Sequence, residues 1–177
     1  MKKVSVILLS VVVVLSLCFY TNMYFNGGFN EVAISKKDSS VHILQGKWIE
    51  GSFLKTSDEN AFFALQEQFI EKIGQEKISV FYAINPTKEN HETFKVFMGV
   101  ESTLGQELLS KEFVNQKITL KNVVLGYQKA TASSQRVHIE MENYAQEKNV
   151  QFDKNNVFEQ FTKDQFWVEM QLKNKVK

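Results

Sequence analysis

The chain has a single cysteine, Cys18, which excludes an internal disulfide framework and any zinc site built from several thiolates. Cys18 lies in an apolar run, so the remainder also lacks a thiol nucleophile. The three histidines, His42, His91 and His138, are far apart and show no H-x-x-x-H or related spacing. No metal centre is expected from them, and nothing in the chain points to a cofactor. No G-x-S-x-G, Walker or G-x-G-x-x-G pattern occurs, and Gly27-Gly28 is too short to cradle a phosphate. A basic excess is missing too, with 21 Lys+Arg against 20 Asp+Glu, which argues against nucleic acid as a partner. What is present is apolar surface: 44% of the 177 residues are hydrophobic, enough to exclude wholesale disorder and to build one ordinary domain.

Part of that surface is concentrated at the N-terminus. Val4 to Tyr20 is broken only by Ser5, Ser10 and Ser16, and Lys2 and Lys3 are the only charges before Glu31. With Met23, Tyr24 and Phe25 the stretch approaches the roughly 20 residues a helix needs to span a bilayer. Residues 1–25 therefore read as a transmembrane anchor or signal segment and 26–30 as its exit linker. The two lysines hold the N-terminus in the cytoplasm and leave the domain extracytoplasmic. A cleaved signal peptide is the rival reading, although no A-x-A pattern precedes a cut between Thr21 and Phe25. Leu15-Ser16-Leu17-Cys18 is similar to a lipobox, but Leu17 stands where Gly or Ala is usual.

From residue 31 a pattern repeats. Residues 41–54 have strand density, and Phe62, Phe63, Leu65, Phe69, Ile70 and Ile73 recur at spacings of three and four, which predicts a helix over 59–74 ending at Gly74. Phe62, Phe63, Phe69 and Ile73 are expected in its core contact. Strands are predicted at 78–84 and 92–101. The second half repeats the order, with a strand at 117–130, a helix that Ser133-Ser134 can cap and that runs to about Asn149 with Val137, Ile139, Met141, Tyr144 and Ala145 as a weaker apolar face, and a hairpin of 156–162 and 165–172 across Lys163-Asp164. The expected fold is α+β: tandem β-α-β-β modules, about 31–102 and 115–174, joined as one antiparallel sheet with two helices on one face and a ligand groove on the other.

The residues Val80-Phe81-Tyr82 before a turn with Pro86, then Phe97-Met98-Gly99-Val100-Glu101, then Phe158-Glu159-Gln160-Phe161 before a last strand resemble, in that order, the GyrI-like small-molecule-binding family. This is the effector-binding domain of AraC-type and multidrug-responsive regulators. The resemblance covers about residues 31–174. Phe161 departs from the family's Tyr, the last strand has Gln171 where the family has Pro, and no helix-turn-helix is present. The resemblance implies a small hydrophobic or cationic ligand, met by a strand glutamate in an aromatic pocket.

Alternation places Glu159 and Phe161 on one strand face and Phe158 and Gln160 on the other. Glu159 is the first candidate for the pocket carboxylate, where aromatic faces would add cation–π attraction of about 0.5–2 kcal/mol; the alternative is a solvated edge residue. Glu101 is either a second pocket acid or a solvated strand end. Tyr82, Phe97, Tyr127 and Trp167 are the candidate aromatics, with Trp48 and Phe81 as further strand aromatics, and Trp167 shares a face with Glu169. Three functions stay open. One is a non-enzymatic binding module. The second is a hydrolase using Glu159 with Tyr82 or Tyr127 as general base machinery. The third is an interaction or inhibitor domain with an inert cavity and an unnamed protein partner.

Overall fold

The structure, a computed structural model, describes residues 13–21, 31–73, 78–102, 112–129, 134–162 and 164–173. Residues 13–21 are helical (α1), followed by β1 (Ala33–Ser52), α2 (Thr56–Ile73), β2 (Ile78–Ile84), a single 3-10 turn (Lys88–Asn90) and β3 (Thr93–Glu101). The second half holds β4 (Val114–Gln128), α3 (Ser134–Glu147), β5 (Phe152–Phe161) and β6 (Phe166–Leu172). The expected exit linker, 26–30, the helix stop at Gly74 and the turn residue Lys163 lie outside the described residues, as do residues 1–12 and 22–25 of the expected anchor. Among the described residues no helix is long and apolar enough to cross a membrane.

Each half is β-α-β-β, and the six antiparallel strands run β1-β3-β2-β5-β6-β4 before β4 returns to β1. Corresponding residues pair alike: Val80 with Met98 and Phe81 with Phe97 in the first module, Val157 with Met170 and Phe158 with Glu169 in the second. The modules meet where Phe81 lies opposite Phe158, and again along the β1·β4 ladder. An open sheet with a groove was expected. The sheet instead closes into a barrel because β1, at 20 residues, is long enough to pair with β4 through its first half and β3 through its second. What was to be a concave face becomes an interior.

Strand alternation then separates three cores. Phe94, Val96, Met98 and Val100 of β3 point outward against Phe62, Leu65 and Phe69 of α2. Val124, Val157 and Val168 point outward against Val137 and Met141 of α3. The inward set, Leu44, Phe97, Ile118, Leu120, Val123 and Phe158 with Phe81, fills the barrel. Burial of each such side chain contributes on the order of 1.5–3 kcal/mol before entropy is charged against it. Two residues expected in helix cores are instead exposed: Phe63, at the margin of the apolar stripe of α2, and Ile139, which two-residue spacing from both Val137 and Met141 puts on the opposite side of α3.

Local chemistry fixes the connections. Asp58 accepts from the amide of Ser52 at 3.0 Å and, with Glu59, puts negative charge in the first turn of α2, while Lys72 sits in its last. Thr87 and Asn90 form a reciprocal capping box around the 3-10 turn. His91 ends that turn with φ 55°, so its role is the conformational one expected of a polar turn residue.

Candidate functional site

The seven residues singled out in the sequence divide between the two faces of the barrel wall. Phe97, Tyr127 and Trp167 belong to the inward face, as does Glu101, which pairs with the inward Leu44. Phe97 is fully buried, and the rings of Tyr127 and Trp167 lie 6.5 Å apart. Tyr82, Glu159 and Phe161 are on the outward face. Tyr82 and Phe161 pack against the helix-facing cores, and the ring of Phe161 is 4.8 Å from that of Phe166.

Glu159 therefore sits in the outer wall near α3. It is 8% exposed and its Oε1 accepts from Nε2 of His138 at 2.9 Å. Burial, and after it the charge of Glu159, pushes the Tyr82 phenol well above its usual range. In the paired register Glu159 is the second module's counterpart of Tyr82, since Tyr82 faces Val96 as Glu159 faces Val168.

The inward carboxylate is Glu169, the counterpart of Phe97. It is 2% exposed, and it crosses the interior to reach β1 although β4 lies between their strands. Its Oε2 accepts from Ser40 Oγ and from His42 Nε2 at 2.8 Å, and its Oε1 accepts from Lys37 Nζ at 3.4 Å. Burial raises the Glu169 carboxyl, but the hydrogen bonds from His42 and Ser40, and then the charges of His42 and Lys37, outweigh it and hold the group below the usual carboxylate range. The imidazole of His42 is itself stacked on Phe158, with centroids 3.7 Å apart and planes at 11°. A second inward polar pair lies at the module junction, where Gln160 Nε2 donates to Ser79 Oγ at 2.8 Å.

Simple alternation cannot bring Lys37 and Ser40 to one carboxylate, because residues three apart on a strand face opposite sides. The β1·β4 ladder resolves this: pairing runs from Lys37↔Val123 to Ser39↔Lys121 with a break between, and Asn122 has φ 52°. On each side of the break the inward parity switches, so Lys37 and Ser40 both reach inward, as Val123 and Leu120 do on β4. Asn tolerates the left-handed region better than most residues, which is why the kink falls on it. The shared face of Trp167 and Glu169 was the one sequence signal for this cluster. The parity switch was the missing part.

Among the described residues no cluster of His, Cys, Asp and Glu is arranged to hold a metal ion. Ser40 and His42 both meet Oε2 of Glu169, so the carboxylate is the common acceptor of the cluster.

No protein-family model and no curated protein matches the chain. Some solved structures are similar to it in part. An integron cassette protein from the mobile metagenome of Vibrio cholerae is similar over 80% of this chain and 95% of its own, with 16% identity and a TM-score of 0.51. A hydrolase from Listeria innocua matches over 81% and 92% at 7% identity, TM-score 0.46. The regulator EcmrR, in a complex with DNA, matches over 95% of this chain and 69% of its own at 12% identity, TM-score 0.45. The first likeness is one of fold alone; in this chain that fold is a six-stranded α+β barrel whose halves each run β-α-β-β.

Proposed function

We propose that this chain is a small-molecule-binding domain of the GyrI-like, effector-binding type, and that it binds hydrophobic molecules carrying a cationic group. The observation that supports the reading is the set around Glu169: an inward carboxylate with the Lys37 ammonium already upon it, in a barrel whose inward face also carries Tyr127 and Trp167. Lys37 is 45% exposed at its side chain and Glu169 only 3%, so the cation is the part that solvent and ligand can exchange. A ligand cation takes the place of Lys37 on Glu169, and its apolar body takes the aromatic face. The pocket carboxylate in this reading is Glu169, and Glu159 serves α3. The apolar run from Val4 to Tyr20 supports a single-pass membrane anchor with the domain outside the cytoplasm.

The test is a thermal-shift and calorimetric titration of the full chain with tetraphenylphosphonium and an isosteric neutral compound. Saturable stabilisation by the cation, weakened about tenfold in Glu169→Gln, is expected. Absence of stabilisation by either compound at millimolar concentration overturns the reading and leaves a filled barrel acting through protein contacts.

A further inference from the structure

The inward row of β1 continues past the filled interior to Trp48, 36% exposed despite being the largest side chain on that strand. Its indole meets Phe97 at 5.3 Å and Phe81 at 6.4 Å, both nearly edge to face, so one side of the ring system is packed on the buried aromatic core. The other side bounds a cavity of about 450 Å³ lined by Trp48, Ile49, Glu50 and Lys95. That volume is in the range of small-molecule sites.

Two opposite charges stand at this cavity. Glu50 and Lys95 are directly paired across β1 and β3, with Lys95 Nζ 3.1 Å from Glu50 Oε2 and 6.0 Å from the centre of the Trp48 ring. Both side chains are exposed, so the ion pair contributes little to stability and is readily replaced by charges from outside. The Lys37–Glu169 cluster, His42 included, lies toward the other end of β1, with the fully buried Leu44 between.

We propose that the cavity at Trp48 is a second binding site, for a small zwitterionic molecule with a flat apolar body, of which an aromatic amino acid is the simplest example. The ligand's carboxylate pairs with Lys95, its ammonium pairs with Glu50, and its apolar body covers the open part of the indole. Both charges are needed. A cation alone leaves Lys95 unpaired and repelled beside it, and an anion alone does the same to Glu50. The site uses no residue of the Lys37–Glu169 cluster and does not rest on the function proposed for that cluster.

Tryptophan fluorescence of the full chain tests this with L-phenylalanine, L-phenylalanine amide and N-acetyl-L-phenylalanine as probes. The zwitterion is expected to change the emission saturably, with the two singly charged probes about tenfold weaker or more. The change disappears in Trp48→Phe and weakens about tenfold in both Lys95→Met and Glu50→Gln, while thermal melting confirms that these surface variants fold. No saturable change with L-phenylalanine, or equal binding of all three probes, overturns the proposal. So does an undiminished response in Lys95→Met and Glu50→Gln.

Discussion

Glu169 of β6 and His42 of β1 are hydrogen-bonded at 2.8 Å across the barrel interior, with the imidazole lying flat on Phe158. In the first module the register position of Glu169 is taken by Phe97, so the same inward site is apolar in one half and charged in the other. Its charge is held by three donors, which makes it both a stability element and an acid-sensitive one.

Glu169→Gln is expected to cost about 1–3 kcal/mol at neutral pH, the range for disturbing a buried charge-assisted network. The pH dependence follows from the lowered carboxyl. A depressed acid contributes stability above its unfolded value, 4.5, and loses it as pH falls through the lower folded value. The gap between wild type and Glu169→Gln in urea unfolding should therefore be largest above pH 5 and shrink steadily below 4.5. A gap that does not change with pH would refute the charge-based account.

Tyr82 gives the opposite, alkaline signature. Its phenol is raised by burial and by Glu159, so it stays protonated in the folded chain while the unfolded chain ionises near 10. Stability from this group is intact below pH 10 and lost as pH rises beyond it. Tyr82→Phe should flatten the alkaline limb of the stability profile, measured by denaturant midpoints from pH 8 to 11. Equal slopes in both proteins would show that another group controls that limb.

Glu159 and Glu169 should separate cleanly. Glu159→Ala removes the acceptor for His138 on α3 and is expected to cost about 1–3 kcal/mol. It should leave the affinity for lipophilic cations within about twofold, since Glu159 faces the helix layer. Calorimetry on this variant beside Glu169→Gln decides the matter. Loss of cation binding in Glu159→Ala alone would return the site to the outer wall.

Much of the architecture was legible in the sequence because alternation and helical spacing survive in each segment. Strand 78–84 lies where its apolar run placed it, and both helices follow their spaced hydrophobics. Barrel closure was not legible, because it depends on how far β1 extends. The polar stretch Ser35 to Ser40 hid its N-terminal half, whose inward partners are hydrogen-bonding rather than apolar. Glu159 was legible as an unusual strand acid and shares its face with Phe161, but alternation does not say which face a helix will cover. The inward approach of Lys37 depends on the break at Asn122, and a φ of 52° leaves only a weak trace in sequence.

Close strand approach gives a further prediction, at the facing glycines of β1 and β3. Gly46 and Gly99 are paired, and a Cβ on Gly99 would lie 2.5 Å from the carbonyl oxygen of Gln45, a backbone atom that cannot yield without opening the ladder. A Cβ on Gly126 would instead meet Met141 Sδ at 2.7 Å and Val137 at 2.8 Å, side chains on a helix that can shift outward. Gly126→Ala should cost about 1–3 kcal/mol by overpacking, and Gly99→Ala more than that. Chemical denaturation of both variants checks the order, and a reversed order would mean that β1·β3 pairing is softer than the α3 packing.

Lys37 gives the strongest discrimination for the proposed ligand. Its ammonium occupies the position on Glu169 that a ligand cation needs, so wild-type binding includes the work of displacing it. Lys37→Met keeps most of the aliphatic stem and removes only the competing charge. Two effects then oppose each other. Losing Lys37 slightly weakens the fold, because Glu169 then keeps His42 and Ser40 as its donors among the described residues. The same loss strengthens the pull of Glu169 on any external cation, and this term governs affinity because a single ligand replaces a single internal charge. Tetraphenylphosphonium should bind Lys37→Met about tenfold more tightly than wild type, with a neutral isostere unchanged. Calorimetric titration of both proteins makes the measurement. Weaker cation binding in Lys37→Met would show that Lys37 organises the site instead of competing for it, and would remove displacement from the mechanism.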